Sequence, residues 1–457
     1  MTTHVLPIIV GVAFFMEQLD STIIAPAIPD IAASLGVDPL HLNLSMTVYL
    51  LCSVAFIPTG ALWAARLGTR TVFQAALVLF ALSSVACALA PSTGMLIAAR
   101  AVQGASAALM VPVGRTVIVH VTEKSQLVSA LAWMVTMAMM GPLLGPMVGG
   151  LLTSYASWHW IFLINVPIAL ACLLGTLRWF PQIRQAADGA FDLFSWVVLS
   201  ACLASAILLL EGLRDGAWSA LWWLLPAVVL CAVYALRSRR LARPLLDFSL
   251  LHLPTFAASF WSGSLLRVGY GALPFLLPLM LQLGLGFSPV QSGGVLLASG
   301  LIALVTKTQT TRMLRRWGFR TVMLVNGSLC AIALAGCALF TPQWHIAAIA
   351  LVVSVAGFFR AVQFNAVSAI AYADVPGPRV AAATTLNTMV QQLAVMVGIA
   401  LSSTVVSLSA QLAGAPSPQA AHFSVAFLVI AAVGALATPA YLRLAPNAGS
   451  HLSGHRA

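Results

Sequence analysis

Pro7-Ile-Ile-Val-Gly-Val-Ala-Phe-Phe-Met-Glu17-Gln-Leu-Asp20-Ser-Thr-Ile-Ile-Ala-Pro-Ala-Ile28 is the stretch that settles the kind of protein this is. A hydrocarbon layer of about 30 Å takes about 20 apolar residues in a helix, and this run is long enough. It nevertheless carries two carboxylates. A charge at that depth costs roughly 2.5–3.5 kcal/mol on insertion scales and is seldom there without a partner or a task. Three residues apart on a helix, Glu17 and Asp20 project from one face and look into one space.

The same pattern recurs to the end of the chain. Of 457 residues 61% are hydrophobic and only 7% charged, which excludes a soluble domain and predicts an all-α polytopic membrane protein. Apolar runs of spanning length fall at 7–28, 42–63, 72–90, 95–119, 127–152, 160–180, 192–212, 218–236, 256–283, 290–311, 321–341, 344–372, 382–408 and 421–442, about fourteen in all. Strand-like alternation with polar residues is absent, which argues against a β-barrel.

The net charge of +11 suggests a nucleic-acid partner until its distribution is read. Apart from Arg100, Arg267, Lys307 and Arg360, which lie inside runs, every Lys and Arg except Arg214 falls on one side of the predicted spans. That is the positive-inside pattern, so both termini are expected in the cytoplasm, the bilayer is the partner, and no nucleic acid is implied. The first run has no basic segment before it and no small-residue cleavage site after it, and is expected to be a retained helix rather than a signal peptide. The seven cysteines all sit in apolar runs with no metal-like spacing, so no metal site is expected.

Arg66-Leu-Gly68-Thr-Arg70-Thr-Val after the second run returns as Arg316-Trp-Gly318-Phe-Arg320-Thr-Val after the tenth. The repeat divides the chain into two related halves: residues 1–184 as an N-terminal six-helix half, 185–243 as two inserted helices and a linker, and 244–457 as a C-terminal six-helix half with a short tail. Transporters built from such repeats hold substrate near the bilayer midplane between the halves. The basic linker 237–256 is expected on the membrane surface, where it favours anionic lipid.

In the fifth run, Gly141-Pro142-Leu-Leu-Gly145-Pro146-Met-Val-Gly149-Gly150 places glycines four apart, a smooth stripe on which another backbone can pack. Its prolines remove backbone donors. With them, the stretch resembles the antiporter signature of the major facilitator superfamily. Leu19-Asp20-Ser-Thr22-Ile-Ile-Ala-Pro-Ala-Ile-Pro29 is similar to the first-helix motif of the fourteen-span drug:proton antiporters, the EmrB and QacA type. Arg100-Ala-Val-Gln103-Gly104 resembles their intramembrane arginine motif, and Ser157-Trp-His-Trp-Ile-Phe-Leu-Ile-Asn-Val-Pro167 also matches. The resemblance runs from about residue 7 to 440, and within the group it is nearest to MdtD-like proteins. It implies a major facilitator fold of two six-helix halves plus two inserted helices.

Departures are also present. The family's gate loop carries an acid before its arginine, whereas Gly60-Ala-Leu-Trp-Ala-Ala65-Arg66-Leu-Gly68-Thr-Arg70 has Ala65 there. Arg66, Arg70 and their repeats Arg316 and Arg320 around Gly318 remain as candidate gate residues, without the relay that the acid provides. Ala25 replaces the family's common Asn, and Glu17 is an acid beyond the motif.

Asp20 is the first candidate for carrying a proton. Burial and a nearby Arg act oppositely on a carboxyl group, so an Asp that gains and loses such a partner can take up and release a proton. Glu17 would couple to it, and Arg100 would hold or modulate the pair. A static Asp20–Arg100 bridge between spans is the alternative. Arg267, Lys307 and Arg360 have no acid in their own runs. Arg360 with Gln363, and Asn387 with Gln391, share helix faces and offer donors to an oxygen-rich ligand. Tyr270, with aromatics such as Phe275 and Phe364, is a candidate lining residue. Lys307 can instead snorkel to the interface. Trp158 and Trp160 suit an interfacial belt.

No phosphate-cradling loop, metal-binding His pair or nucleophile elbow is present, so no enzyme and no cofactor are expected, and an ion gradient is the energy source. The leading expectation is a monomeric, proton-coupled multidrug efflux antiporter of the bacterial inner membrane, with protons and a small-molecule substrate as partners. Four basic residues against two acids favour a second reading, export of organic anions such as carboxylates or their metal chelates. A channel or non-transporting sensor is the third.

Overall fold

The computed structural model of the chain describes residues 2–184, 191–214, 218–241, 244–376 and 379–450. Among these the regular structure is helical, and fourteen helices are long and apolar enough to cross a membrane. They are span 1 (Val5–Leu35), span 2 (Pro39–Phe56), span 3 (Thr69–Ala88), span 4 (Thr93–Val121), span 5 (Ser129–Tyr155), span 6 (Trp160–Trp179) and span 7 (Leu193–Leu213). Span 8 (Ser219–Ser238), span 9 (Pro254–Gly284), span 10 (Pro289–Thr306), span 11 (Thr308–Leu339), span 12 (Ile346–Ile370), span 13 (Ala382–Leu412) and span 14 (Ala420–Arg443) complete the set. Each predicted run meets one helix.

The ends differ where proline and glycine act. Span 1 runs past Ile28 to Leu35: Pro26 converts the chain to a 3-10 turn at Ala25–Ala27, helix resumes at Ile28–Leu35, and left-handed Gly36 closes it. Span 2 halts at Phe56, ahead of a second helix over Thr59–Leu67, so the predicted 42–63 run straddles a break at Pro58. The Arg-x-Gly-x-Arg repeat also finds its cause. Gly68 (φ 89°) joins Thr59–Leu67 to Thr69–Ala88, and Gly318 (φ 71°) interrupts the long helix Pro289–Gly336. Both joints need the positive φ that glycine tolerates.

The chain divides into two compact units, residues 1–203 and 204–457. In the first, span 1 packs against spans 4, 5 and 6, and its apolar face joins Phe73, Phe80 and Val117 in one core. In the second, span 9 packs against spans 12, 13 and 14 in the same pattern. Spans 1 and 9 are accordingly 67% and 78% buried, whereas span 8 is 11% buried and presents an apolar surface suited to lipid.

Candidate functional site

The glycine stripe of span 5 lies on the part of span 1 that carries Asp20. A Cβ on Gly145 would stand 2.2 Å from Thr22 Oγ1, and one on Gly149 would stand 2.1 Å from the Ile23 carbonyl. Only hydrogen fits at either place. Gly141 meets Gln18 and Leu19 in the same way, and the helix continues through Pro142, Pro146 and Gly150 to Tyr155. Close packing thereby holds residues 18–23 against span 5 and turns Asp20 toward spans 3, 4 and 6.

There Asp20 meets a complete set of donors. Arg100 Nη1 lies 2.5 Å from Oδ2. Oδ1 accepts from Gln103 Nε2 at 2.9 Å and from Asn165 Nδ2 at 2.7 Å. Gln103 also accepts from Arg100 Nη1 at 2.7 Å and donates to Ser84 Oγ at 2.7 Å. The Arg100 guanidinium carbon sits 4.1 Å from the centroid of the Tyr49 ring, and Nε donates to the Ser45 carbonyl. Asp20, Arg100, Gln103, Asn165 and Ser84 are all 0% exposed. Five helices thus converge on one charge-neutral knot, in which Arg100 Nη2 and Asn165 Oδ1 have no hydrogen-bond partner among the described residues.

Glu17 is also buried but stands apart from this knot: its Oε2 has no hydrogen-bond partner among the described residues. It shares with Asp20 the electrostatic reach of Tyr49, whose hydroxyl has no hydrogen-bond partner either. The two acids therefore face one aromatic residue from adjacent turns, one bridged by a cation and two amides and the other without a cation.

Arg100 and Asp20 are legible in the sequence as charges, whereas Gln103 and Asn165 stand there only as members of the family-like motifs and Ser84 is not singled out. Gln103 carries a usable signal: it stands one turn after Arg100 in an apolar helix. A second signal lies in the chain itself. Arg100-Ala-Val-Gln103 of span 4 recurs unchanged as Arg360-Ala-Val-Gln363 of span 12.

In the second unit the repeated Arg has different company. Gln363 does not offer its amide to a ligand: it accepts from Asn326 Nδ2 at 2.9 Å and donates to the Met323 carbonyl at 3.0 Å, tying span 12 to span 11. Asn387 donates to the Tyr372 hydroxyl at 3.4 Å, and Gln391 is half-buried on the same helix. Arg267, 5% exposed, stacks its guanidinium carbon 4.8 Å from the centroid of Phe364, while its Nε and Nη2 have no hydrogen-bond partner among the described residues. Tyr270, one turn further, donates to the Cys330 carbonyl at 2.7 Å and lies within electrostatic reach of Arg360. The side chain of Lys307 lies outside the described residues.

The gate loop of the first unit is fixed from the chain that follows span 6. Gln182 donates to the Leu67 carbonyl at 2.8 Å and accepts from the Arg70 and Thr71 amides at 3.0 and 3.3 Å. Arg70 Nη2 donates to the Leu177 carbonyl at 2.5 Å. Arg66 is exposed, and Gly60 lets the Thr59–Leu67 helix close on Pro112 of span 4. In the second unit Arg316 is exposed beside Trp317, and Arg320 is half-buried.

A family profile described as Major Facilitator Superfamily matches residues 10–399. The chain is 33% identical over 449 residues to a Klebsiella pneumoniae protein named "Putative multidrug resistance protein MdtD", covering 97% of this chain and 95% of that one. A Pectobacterium atrosepticum protein of the same name is 33% identical over 437 residues, covering 95% and 94%. Among solved structures, a variant of the nucleoside transporter NupG aligns with a TM-score of 0.65 at 15% identity, over 96% of this chain and 99% of that one. The human organic anion transporter MFSD10 aligns at 0.62 and 17% identity with the same coverage. At these identities the likeness to the solved structures speaks for the fold alone.

Proposed function

The chain belongs to the Major Facilitator Superfamily and is a multi-pass membrane transporter; from that premise we propose that it is a proton-coupled efflux antiporter working by alternating access. It resides in the bacterial inner membrane with both termini in the cytoplasm, acts as a monomer without enzymatic activity or cofactor, and exports lipophilic small molecules of the multidrug type in exchange for protons. The names of its MdtD relatives support the substrate range.

One observation carries the coupling: the fully buried, charge-neutral bridge of Asp20 to Arg100 beneath the glycine stripe. Protonating Asp20 removes the negative half of a pair held in a low-dielectric setting. Arg100 is then a buried cation without its partner, an arrangement costly enough to favour another packing of the five helices. A proton taken up at Asp20 therefore acts directly on how spans 1, 2, 3, 4 and 6 fit together. Glu17, one turn away and without a cation, is a second carboxyl that changes charge in the same space.

The test is transport by purified protein in liposomes carrying an imposed proton gradient. Wild type is expected to accumulate a lipophilic dye against its gradient and to stop when an uncoupler is added, behaviour that neither a channel nor a sensor shows. Asp20→Asn is expected to abolish accumulation while leaving dye binding in place. Full proton-driven accumulation by that variant would remove Asp20 from the mechanism.

A further inference from the structure

The two units treat the same Arg-Ala-Val-Gln tetrapeptide differently. In the first, the Arg is answered by a carboxylate from the central helix, Asp20 of span 1. In the second, the loop repeat sets Arg66 against Arg316, and the same step along the chain sets Glu17 against Arg267 and Asp20 against Tyr270. Each acid of span 1 therefore has a cation or a phenol as its counterpart on span 9. Tyr270 stands within electrostatic reach of Arg360 but gives its hydroxyl to the Cys330 carbonyl. The tetrapeptide itself recurs at a step of 260 residues rather than 250, so Arg360 lies about two turns further along its helix than Arg100 does, and it finds no carboxylate among the described residues.

Among the described residues no ion pair supplies one. Its described carboxylates near the helix ends are engaged elsewhere, Asp247 with Arg379 and Asp374 with Thr255. Neither Arg267 nor Arg360 forms an ion pair among the described residues. The two cations share one face of the span 9–span 12 packing: Arg267 is stacked on Phe364, which lies one helical turn after Arg360. They stand about 15–20 Å along their helices from Pro254 and Ile370, too deep for a lipid headgroup. Phe364 is 42% exposed and Arg360 is partly exposed, so the face can be reached.

We propose that this face is a binding site for an amphipathic organic anion, whose carboxylate pairs with Arg360 and Arg267 and whose apolar body lies against Phe364. Unpartnered guanidinium donors match a carboxylate in planar geometry. The aromatic wall explains why the body is apolar: Arg267 already rests on a ring, and a flat hydrocarbon extends that surface. The inference rests on the transporter reading and narrows its substrate class from lipophilic compounds at large to those bearing a negative charge.

The probes are 2-naphthoate, its neutral isostere 2-naphthamide and a quaternary ammonium dye, titrated by calorimetry into purified full-length protein. Naphthoate is expected to bind about ten-fold or more tightly than naphthamide, the worth of a charge-assisted pair. Arg360→Gln and Arg267→Gln should each reduce that ratio toward unity, and Arg360→Lys should retain part of it. Tyr270→Asp, which places an acid within electrostatic reach of Arg360, should abolish the preference. Equal affinity for naphthoate and naphthamide in wild type, or an unchanged ratio in both Gln variants with unaltered melting curves, overturns the site. Proton-driven dye export persisting in that case shows that the site alone has failed. Loss of proton-driven transport with every probe strikes the transporter reading instead.

Discussion

Asn165 of span 6 donates its side-chain amide to Oδ1 of Asp20 in span 1 at 2.7 Å, with both residues fully buried. The amide brings span 6 into a knot otherwise made by spans 1, 2, 3 and 4, and it fills a lone pair that a buried carboxylate cannot leave empty cheaply. Asn165→Ala is expected to lower stability by about 1–3 kcal/mol, the cost of an unsatisfied buried group. Thermal melting in detergent measures this, and Asn165→Asp, which sets a second acid beside Asp20, should melt lower still. An Ala variant as stable as wild type would mean that water or another donor takes over.

Removing the other partner has a larger effect. Arg100→Ala strands Asp20 in a site with no other cation, a loss of about 3–5 kcal/mol. Replacing both members, Arg100→Gln with Asp20→Asn, removes both charges together and should recover a large part of that loss. A double-mutant cycle on melting temperature reads the coupling, and additive effects would show that the bridge is energetically inert.

The fold could be read almost entirely from composition, because a bilayer leaves few ways to satisfy the backbone and apolar runs then announce the helices. Breaks near Pro26 and Pro58 shifted span ends by several residues, since a run of apolar residues does not record where its helix stops. Asp20 and Arg100 stood out because charges are scarce in such a chain. Asn165 and Ser84 did not: Asn165 reaches Asp20 across 145 residues of chain, Ser84 joins only through Asn165, 81 residues away, and Gln103, and uncharged polar residues are ordinary in a span. Gln363 misled for a related reason. Helical spacing placed it near Arg360, but only tertiary packing sends its amide to Asn326 and Met323.

Gly149 faces the Ile23 carbonyl so closely that a methyl group has nowhere to go. The obstacle is backbone, which cannot rotate aside as a side chain does. Gly149→Ala is expected to push span 5 away from span 1 and cost about 1–3 kcal/mol, with proton-driven accumulation falling more steeply than dye binding. Gly94→Ala, at a position with open space around its Cβ, serves as the control.

Outside the membrane, Asp247 of the linker pairs with Arg379 at 2.6 Å, and Arg379 also reaches Ser249. Burial pushes the Asp247 carboxyl upward, but hydrogen bonds from Ser249 and Arg379 outweigh it and hold the group below its usual 3.8. A carboxyl lowered by folding stabilises the folded state at pH above its unfolded value and loses that contribution as pH falls through the folded one. Protection of residues 247–253 from hydrogen exchange, corrected for intrinsic rates, should therefore fall as the pH drops below about 4. Because Arg379 is 37% exposed, the tie is worth only about 0.2–1 kcal/mol. Asp247→Asn should flatten the pH dependence, and an Asn variant that keeps it would assign the effect to another group.

Gln182 bridges two helix ends at once. Its amide nitrogen donates to the Leu67 carbonyl at the close of Thr59–Leu67, and its oxygen accepts from the Arg70 and Thr71 amides at the start of Thr69–Ala88. Helix termini leave such groups without partners, and Gly68, lying between the two helices, has no side chain to supply one. Gln182→Ala should cost about 0.5–2 kcal/mol and speed exchange at the amides of residues 70 and 71. Gln182→Glu keeps the acceptor and places a negative charge at the start of Thr69–Ala88, where it is favoured, but sets the same charge against the Leu67 carbonyl. It should preserve protection at residues 70 and 71 while loosening the end of the preceding helix. Gly68→Ala forces a Cβ to within 2.3 Å of Gln182 Nε2 and strains a φ of 89°. Once Gln182 has been replaced by Ala the clash is gone and only the backbone strain remains, so Gly68→Ala should cost less in that background than in wild type. Equal costs in the two backgrounds would show that Gln182 does not clamp the loop.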